Sequence, residues 1–187
     1  MKASTSEPMN VATKNSQKER TGLVTMKGNP LTLLGNEIKV GQTAPDCTLI
    51  ANDLSEVKLS SYQGKKIILS VVPSLDTGTC DIQTKKFNTE AAHLGSEVVI
   101  LTISMDLPFA QKRWCGAAGV TNLRTLSDHR DAAFGQAYGV LVKGLRLLAR
   151  SIFVVDPSGI VQYVEIVKEV TQEPNYSGAL NAVKKIK

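Results

Sequence analysis

Reactive side chains are scarce in this chain. Its 187 residues include only three cysteines, two histidines and one tryptophan, and aromatic residues make up 5%. No two cysteines stand at Cys-x-x-Cys spacing, which excludes a thioredoxin-type dithiol and a zinc knuckle. The spacings of Cys47, Cys80, Cys115, His93 and His129 match no motivated metal-ligand pattern, so no metal is expected. Three cysteines also fall short of the framework that staples small secreted domains. No run approaches the ~18 apolar residues of a membrane-spanning helix. The N-terminal stretch MKASTSEPMNVATKNSQKER is polar and lacks the apolar centre of a secretory signal. It reads as a disordered tail over 1–20, ahead of one domain over 21–187, and a cytoplasmic location is expected. The net charge of +5 is spread over small clusters such as Lys65-Lys66, Lys85-Lys86 and Lys184-Lys185. A nucleic-acid surface requires a denser basic stripe with interleaved aromatics. Neither a membrane nor a nucleic acid is therefore expected as a partner.

At 42% hydrophobic and 21% charged, the composition fits one globular domain able to bury its own core. Val24 to Met26 and Leu31 to Leu34 flank Lys27-Gly28-Asn29-Pro30, a hairpin signal. Short strands are expected at Thr48 to Ala51 and Val57 to Leu59. Lys66 to Val72 and Val98 to Ile103 are apolar runs suited to strands buried on both faces. Helices are expected from Cys80 to His93, and from Leu107 to Cys115 with Pro108 in the first turn and Gly116 and Gly119 as stops. Leu123 to Leu126 reads as a strand and Ala132 to Tyr138 as a helix. A second hairpin pairs Ser151 to Val155 with Ile160 to Ile166 across Asp156-Pro157-Ser158-Gly159, and Asn175 to Lys184 closes the chain as an amphipathic helix. This is an α/β order resembling the thioredoxin fold: a central mixed sheet flanked by helices, with an extra N-terminal β-hairpin.

The segment Pro73-Ser74-Leu75-Asp76-Thr77-Gly78-Thr79-Cys80 carries the chemistry. A buried strand ends, a turn presents a hydroxyl, and a cysteine opens a helix. The thiolate is the reactive form of cysteine, and the free N–H groups of a helix N-terminus favour it. Taken alone, Thr77 is an ordinary helix N-cap, Pro73 a strand terminator, Arg150 a surface ion-pair partner and Cys115, beside Trp114, a packed residue. Cys47, at the start of an apolar strand, reads as structural.

PSLDTGTCDIQTKKFN, from Pro73 to Asn88, resembles the active-site segment of the thiol peroxidase branch of the peroxiredoxins. Pro73, Thr77 and Cys80 meet the signature Pro-x-x-x-Thr/Ser-x-x-Cys. The stretch Asp106 to Gly116 (DLPFAQKRWCG) resembles the branch's second segment, and Leu148-Ala149-Arg150-Ser151 its late arginine. The resemblance implies that Cys80 attacks a hydroperoxide and that Cys115 resolves the product as an intramolecular disulfide. Thr77, Arg150 and Pro73 shape the site, and the Gly78 and Thr79 backbone meets the peroxide. It further implies partial unwinding of the helices on oxidation, thioredoxin as reductant, no cofactor, since the cysteine itself carries the redox chemistry, and a homodimer. Leu107, Phe109 and Leu147 offer an apolar approach for an alkyl tail. The alternatives are a one-cysteine peroxidase, and a peroxide-sensing redox relay without rapid thioredoxin-linked turnover.

Overall fold

The structure, a computed structural model, describes residues 18–186. Ten strands and four α-helices follow in chain order, with one 3₁₀ turn (Leu59–Tyr62) between the fourth and fifth strands. They are β1 (Glu19–Met26), β2 (Asn29–Leu34), β3 (Thr48–Ile50), β4 (Glu56–Lys58), β5 (Lys66–Val71), α1 (Gly78–Ala91), β6 (Val98–Ser104), α2 (Pro108–Ala118) and β7 (Arg124–Ser127). The chain ends with α3 (Ala133–Ala137), β8 (Leu141–Val142), β9 (Ser151–Val155), β10 (Val161–Ile166) and α4 (Tyr176–Lys185). Seven strands form the main sheet in the order β10-β9-β5-β6-β7-β3-β4, with β5, β6 and β7 parallel and β9 antiparallel to β5. This is the expected mixed sheet.

The unbroken apolar character of β5 follows from cover on both faces. On one side Ile68, Ile100, Ile152 and Val154 pack with Phe87 of α1 and with Tyr176, Ala179 and Val183 of α4. On the other side Ile67, Leu69, Leu101, Phe153 and Val155 meet Phe134 and Tyr138 of the α3 region and Val24 and Leu33 of the hairpin. Removing such side chains from water is the main driving force for this architecture.

Of the tail expected over 1–20, residues 1–17 lie outside the described residues. Glu19 and Arg20 instead open β1, opposite Leu34 and Leu33. The hairpin turn is tighter than the sequence suggested: only Lys27 and Gly28, both at positive φ, connect Met26 to Asn29, so Pro30 already lies in β2. The hairpin also gains a third strand, β8, through Leu33↔Val142 and Leu34↔Leu141. Gly35 and Gly139 seal this junction. A Cβ at Gly35 would lie 2.1 Å from the Gln136 carbonyl oxygen, and one at Gly139 would lie 2.2 Å from that of Asn36. Gly116 does not stop α2, since an interior glycine costs only about 1 kcal/mol. The helix ends at Gly119, whose φ of 65° supplies the left-handed cap. Among the described residues no helix is long and apolar enough to cross a membrane.

Candidate active site

Two parallel strands, β5 and β6, end side by side, and their following turns lead into α1 and α2. Sites of α/β sheets gather at such carboxyl ends. After β5 the buried Val72 and Leu75 pack around Cys80, with Trp114 of α2 against them. Pro73 lies buried between them in sequence, closing the turn without an N–H of its own. Asp106 fastens this turn to the start of α2. Its carboxylate accepts hydrogen bonds from the Ser74 hydroxyl (2.7 Å), the Leu75 N–H (2.8 Å) and the Ser104 hydroxyl (2.7 Å).

Cys80 sits in the first turn of α1, fully buried. Thr77 holds the N-cap position, yet its hydroxyl caps no backbone N–H. Its Oγ1 lies 2.8 Å from Cys80 Sγ and 3.1 Å from the Ser74 carbonyl oxygen. One hydroxyl proton serves one acceptor at a time. Donated to sulfur, it stabilises negative charge there; donated to Ser74, it leaves oxygen lone pairs free to accept from a substrate O–H. The first bond of α1 is donated by Asp81 N–H to the Thr77 carbonyl. The N–H groups of Gly78, Thr79 and Cys80 therefore stand ahead of the intrahelical ladder, free to face an anion or a polarised oxygen. A Cβ built on Gly78 would meet nothing within 4 Å, so this first turn lies open. The Thr79 hydroxyl points elsewhere, donating to the Thr171 carbonyl (3.0 Å).

Arg150, just before β9, is the largest fully buried side chain among the described residues, 1% exposed. Its three nitrogens are all engaged: Nε donates to the Val170 carbonyl (2.8 Å), Nη1 to Gln83 Oε1 (2.6 Å) and Nη2 to Cys80 Sγ (3.3 Å). Gln83 is aligned in turn by donating from Nε2 to Ser70 Oγ (2.8 Å). The fork is thus fixed from behind, with one N–H aimed at the sulfur.

Cys115 is placed apart from this cluster. It is a free thiol on α2, half-buried, 3.5 Å from the Thr125 hydroxyl on β7. Burial pushes its thiol up from the ordinary cysteine value, against a smaller opposing effect of the Thr125 hydrogen bond. Cys47 is buried in the core, and burial with the nearby Asp128 and Asp46 carboxylates raises its thiol to about 12, the mark of an inert cysteine. Leu107 and Phe109 are well exposed at the start of α2, while Leu147 is half-buried.

The structure brings together Pro73, Thr77, Gly78, Cys80 and Arg150. It adds residues that the sequence reading missed: Gln83, Ser70, Asp106 and the Val170 carbonyl. Gln83 left one trace in the sequence, as an amide one turn beyond Cys80 on the face that also carries Phe87.

A buried cysteine held by a threonine hydroxyl and an arginine on a thioredoxin-like sheet defines the class of thiol-based redox enzymes. The Redoxin family model matches residues 39–180. The chain is 58% identical to a thiol peroxidase of Halalkalibacterium halodurans over 86% of its length and 96% of that protein. It is 56% identical to a thiol peroxidase of Bacillus subtilis over the same shares. Among solved structures, a peroxiredoxin-like protein from Aquifex aeolicus superposes with a TM-score of 0.82 at 43% identity, covering 89% of this chain and 96% of that one. A thiol peroxidase from Chromobacterium violaceum shares the fold at 18% identity, with a TM-score of 0.77 over 87% of this chain and 95% of that one. The chain belongs to the redoxin family and, within it, to the thiol peroxidases: it is a thiol-dependent peroxidase.

Proposed function

We propose that Cys80 is the peroxidatic residue and Cys115 the resolving residue of an atypical two-cysteine cycle. The observation that carries this reading is the convergence of the Thr77 hydroxyl and the Arg150 guanidinium on one buried sulfur. The Cys80 thiolate attacks one oxygen of the hydroperoxide. The O–O bond breaks, sulfur is oxidised to sulfenic acid, and the other oxygen leaves as water or alcohol after taking up a proton. Arg150 and the first-turn N–H groups of α1 face the charge that develops on the departing oxygen. Thr77 orients the attacked O–H, and Pro73 walls the pocket.

The Cys115 thiol then displaces hydroxide from the Cys80 sulfenic acid. An S–S bond forms, the S–O bond breaks, and the thiol proton leaves in water. Cys80 and Cys115 sit within separate helices under different partners, which supports closure by partial unwinding of α1 or α2. A dithiol reductant of the thioredoxin type then restores both thiols, a step that suits a reducing compartment such as the cytoplasm. The exposed apolar side chains Ile82 on α1 and Leu107 and Phe109 at the start of α2 support a homodimer, to be read by light scattering.

Non-reducing peptide mass spectrometry after one equivalent of hydrogen peroxide tests the assignment. A Cys80–Cys115 cross-link within one chain supports it. Cys80 sulfinic acid with Cys115 still free overturns the resolving role.

A further inference from the structure

Ser70, Thr102 and Thr125 lie in register across β5, β6 and β7. Residues in register on neighbouring strands point to the same side of a sheet. The side is the one covered by the two cysteine-bearing helices: Gln83 of α1 bonds Ser70 Oγ, and Cys115 of α2 lies against Thr125 Oγ1. A buried row of three hydroxyls thus runs beneath both helices, from the Arg150–Gln83 cluster at Cys80 to Cys115. The row spans two strand spacings, about 10 Å.

The Cys115 end of the row is braced. Asn52, beyond β3, donates from Nδ2 to Thr125 Oγ1 at 2.9 Å. The Thr125 proton then has two acceptors in reach, Asn52 Oδ1 at 3.3 Å and Cys115 Sγ at 3.5 Å. With the proton on Asn52, the thiol S–H donates to Thr125; with it on sulfur, Thr125 donates. In either arrangement the sulfur is held over β7, while Cys80 is held by Arg150 at the β9 side. A cleft of about 310 Å³ lined by Asn52, Cys115, Arg124 and Thr125 opens beside the contact.

We propose that Thr125, braced by Asn52, is a positioning residue for the second half of the cycle: it stores the Cys115 thiol over β7, and breaking this contact is part of disulfide closure. The inference rests on the two-cysteine cycle proposed above. The step it controls consumes no outside oxidant, since the Cys80 sulfenic acid loses hydroxide, Cys115 loses a proton and one S–S bond forms.

Thr125→Val removes the hydroxyl and keeps the shape. Reduced protein is mixed rapidly with hydrogen peroxide, and quenched samples are assayed for disulfide and for Cys80 sulfinic acid. The peroxide-dependent first step stays within twofold of wild type. The first-order closure step accelerates about fivefold, the worth of one ordinary hydrogen bond, and less sulfinic acid accumulates at excess peroxide. Thr125→Ser, which restores the hydroxyl, closes at the wild-type rate. Asn52→Ala, on the half-buried loop, accelerates closure in the same direction, and adding it to Thr125→Val gives no further gain. Closure in Thr125→Val that is unchanged or slower overturns the proposal, as does acceleration in Thr125→Ser equal to that of the valine variant. Wild-type protein that forms no Cys80–Cys115 disulfide overturns the two-cysteine cycle and this proposal with it.

Discussion

Replacing Arg150 by lysine keeps the positive charge and removes the fork. The native guanidinium reaches three acceptors from three nitrogens: the Val170 carbonyl, Gln83 Oε1 and Cys80 Sγ. A lysine carries its donors on one nitrogen, which cannot stand within bonding distance of all three. Even where the thiolate draws the ammonium, the single nitrogen leaves the Val170 carbonyl and Gln83 Oε1 unserved, so no donor is held from behind toward the reacting atoms. The reacting centre then lacks one aimed donor, a loss of about 10²–10³ in rate, or ~2.7–4 kcal/mol of transition-state stabilisation. The assay is a single turnover of reduced Arg150→Lys with hydrogen peroxide, followed by the fluorescence of Trp114, which packs against the Cys80 cluster. The second-order constant falls by at least 10²-fold, while a cooperative urea transition shows that the variant is folded. A constant within tenfold of wild type refutes the reasoning, because charge alone would then suffice.

Thr77→Val, which leaves Cys80 Sγ without its 2.8 Å hydroxyl contact, slows the same peroxide step about 10²-fold, and Thr77→Ser restores it to within a few-fold; equal rates in the two variants contradict the role given to the hydroxyl. Thr102 Oγ1 is buried without a partner among the described residues, so Thr102→Val raises the unfolding free energy by about 1 kcal/mol in urea titration, and a loss of stability refutes this. Burial raises the Asp128 carboxyl to about 6, against hydrogen bonds donated by the Gly135 and Phe134 N–H groups. The folded value lies above the unfolded one near 3.8, so its stabilising effect is full below about pH 4 and lost as pH rises through 6. Urea titrations at pH 5 and pH 7.5 show the wild type losing about 1.4 kcal/mol over this interval, the one pKa unit that lies between pH 5 and the folded value, whereas Asp128→Asn shows no such slope. A wild type that gains stability over that interval contradicts the assignment.

Elements whose signals are local were legible in the sequence. The apolar runs at β5 and β6 and the residue pattern from Thr77 to Cys80 each lie within a few neighbours, where periodicity and turn chemistry act. β8 was not legible, because two residues carry no periodicity and Leu141–Val142 becomes a strand only by pairing with β2. Gly116 was misread because an isolated glycine is tolerated inside a helix, whereas the left-handed cap at Gly119 is required. The partners of the two cysteines were hidden for a different reason. Arg150 was recognisable only through the family resemblance, and Val170 contributes a backbone carbonyl, which no residue type announces. Thr125 and Asn52 meet because the order β6-β7-β3 brings a late strand beside an early one.

The surroundings of Arg150 link the two halves of the proposed cycle. A buried charge is tolerated only when its surroundings supply compensating charge and hydrogen bonds. Among the described residues Arg150 forms no ion pair with a carboxylate; its neighbours are two neutral oxygens and one sulfur. The closed site is therefore best compensated when Cys80 carries the negative charge. Oxidation to a sulfenic acid removes that charge and leaves the guanidinium buried against neutral groups. The same chemical change that completes peroxide reduction thus weakens the contacts holding the first turn of α1. In the proposed cycle this favours opening at the step in which Cys115 attacks, and reduction, by returning the thiolate, favours the closed form again. In this arrangement the arginine that assists the first step also makes the second step conditional on it.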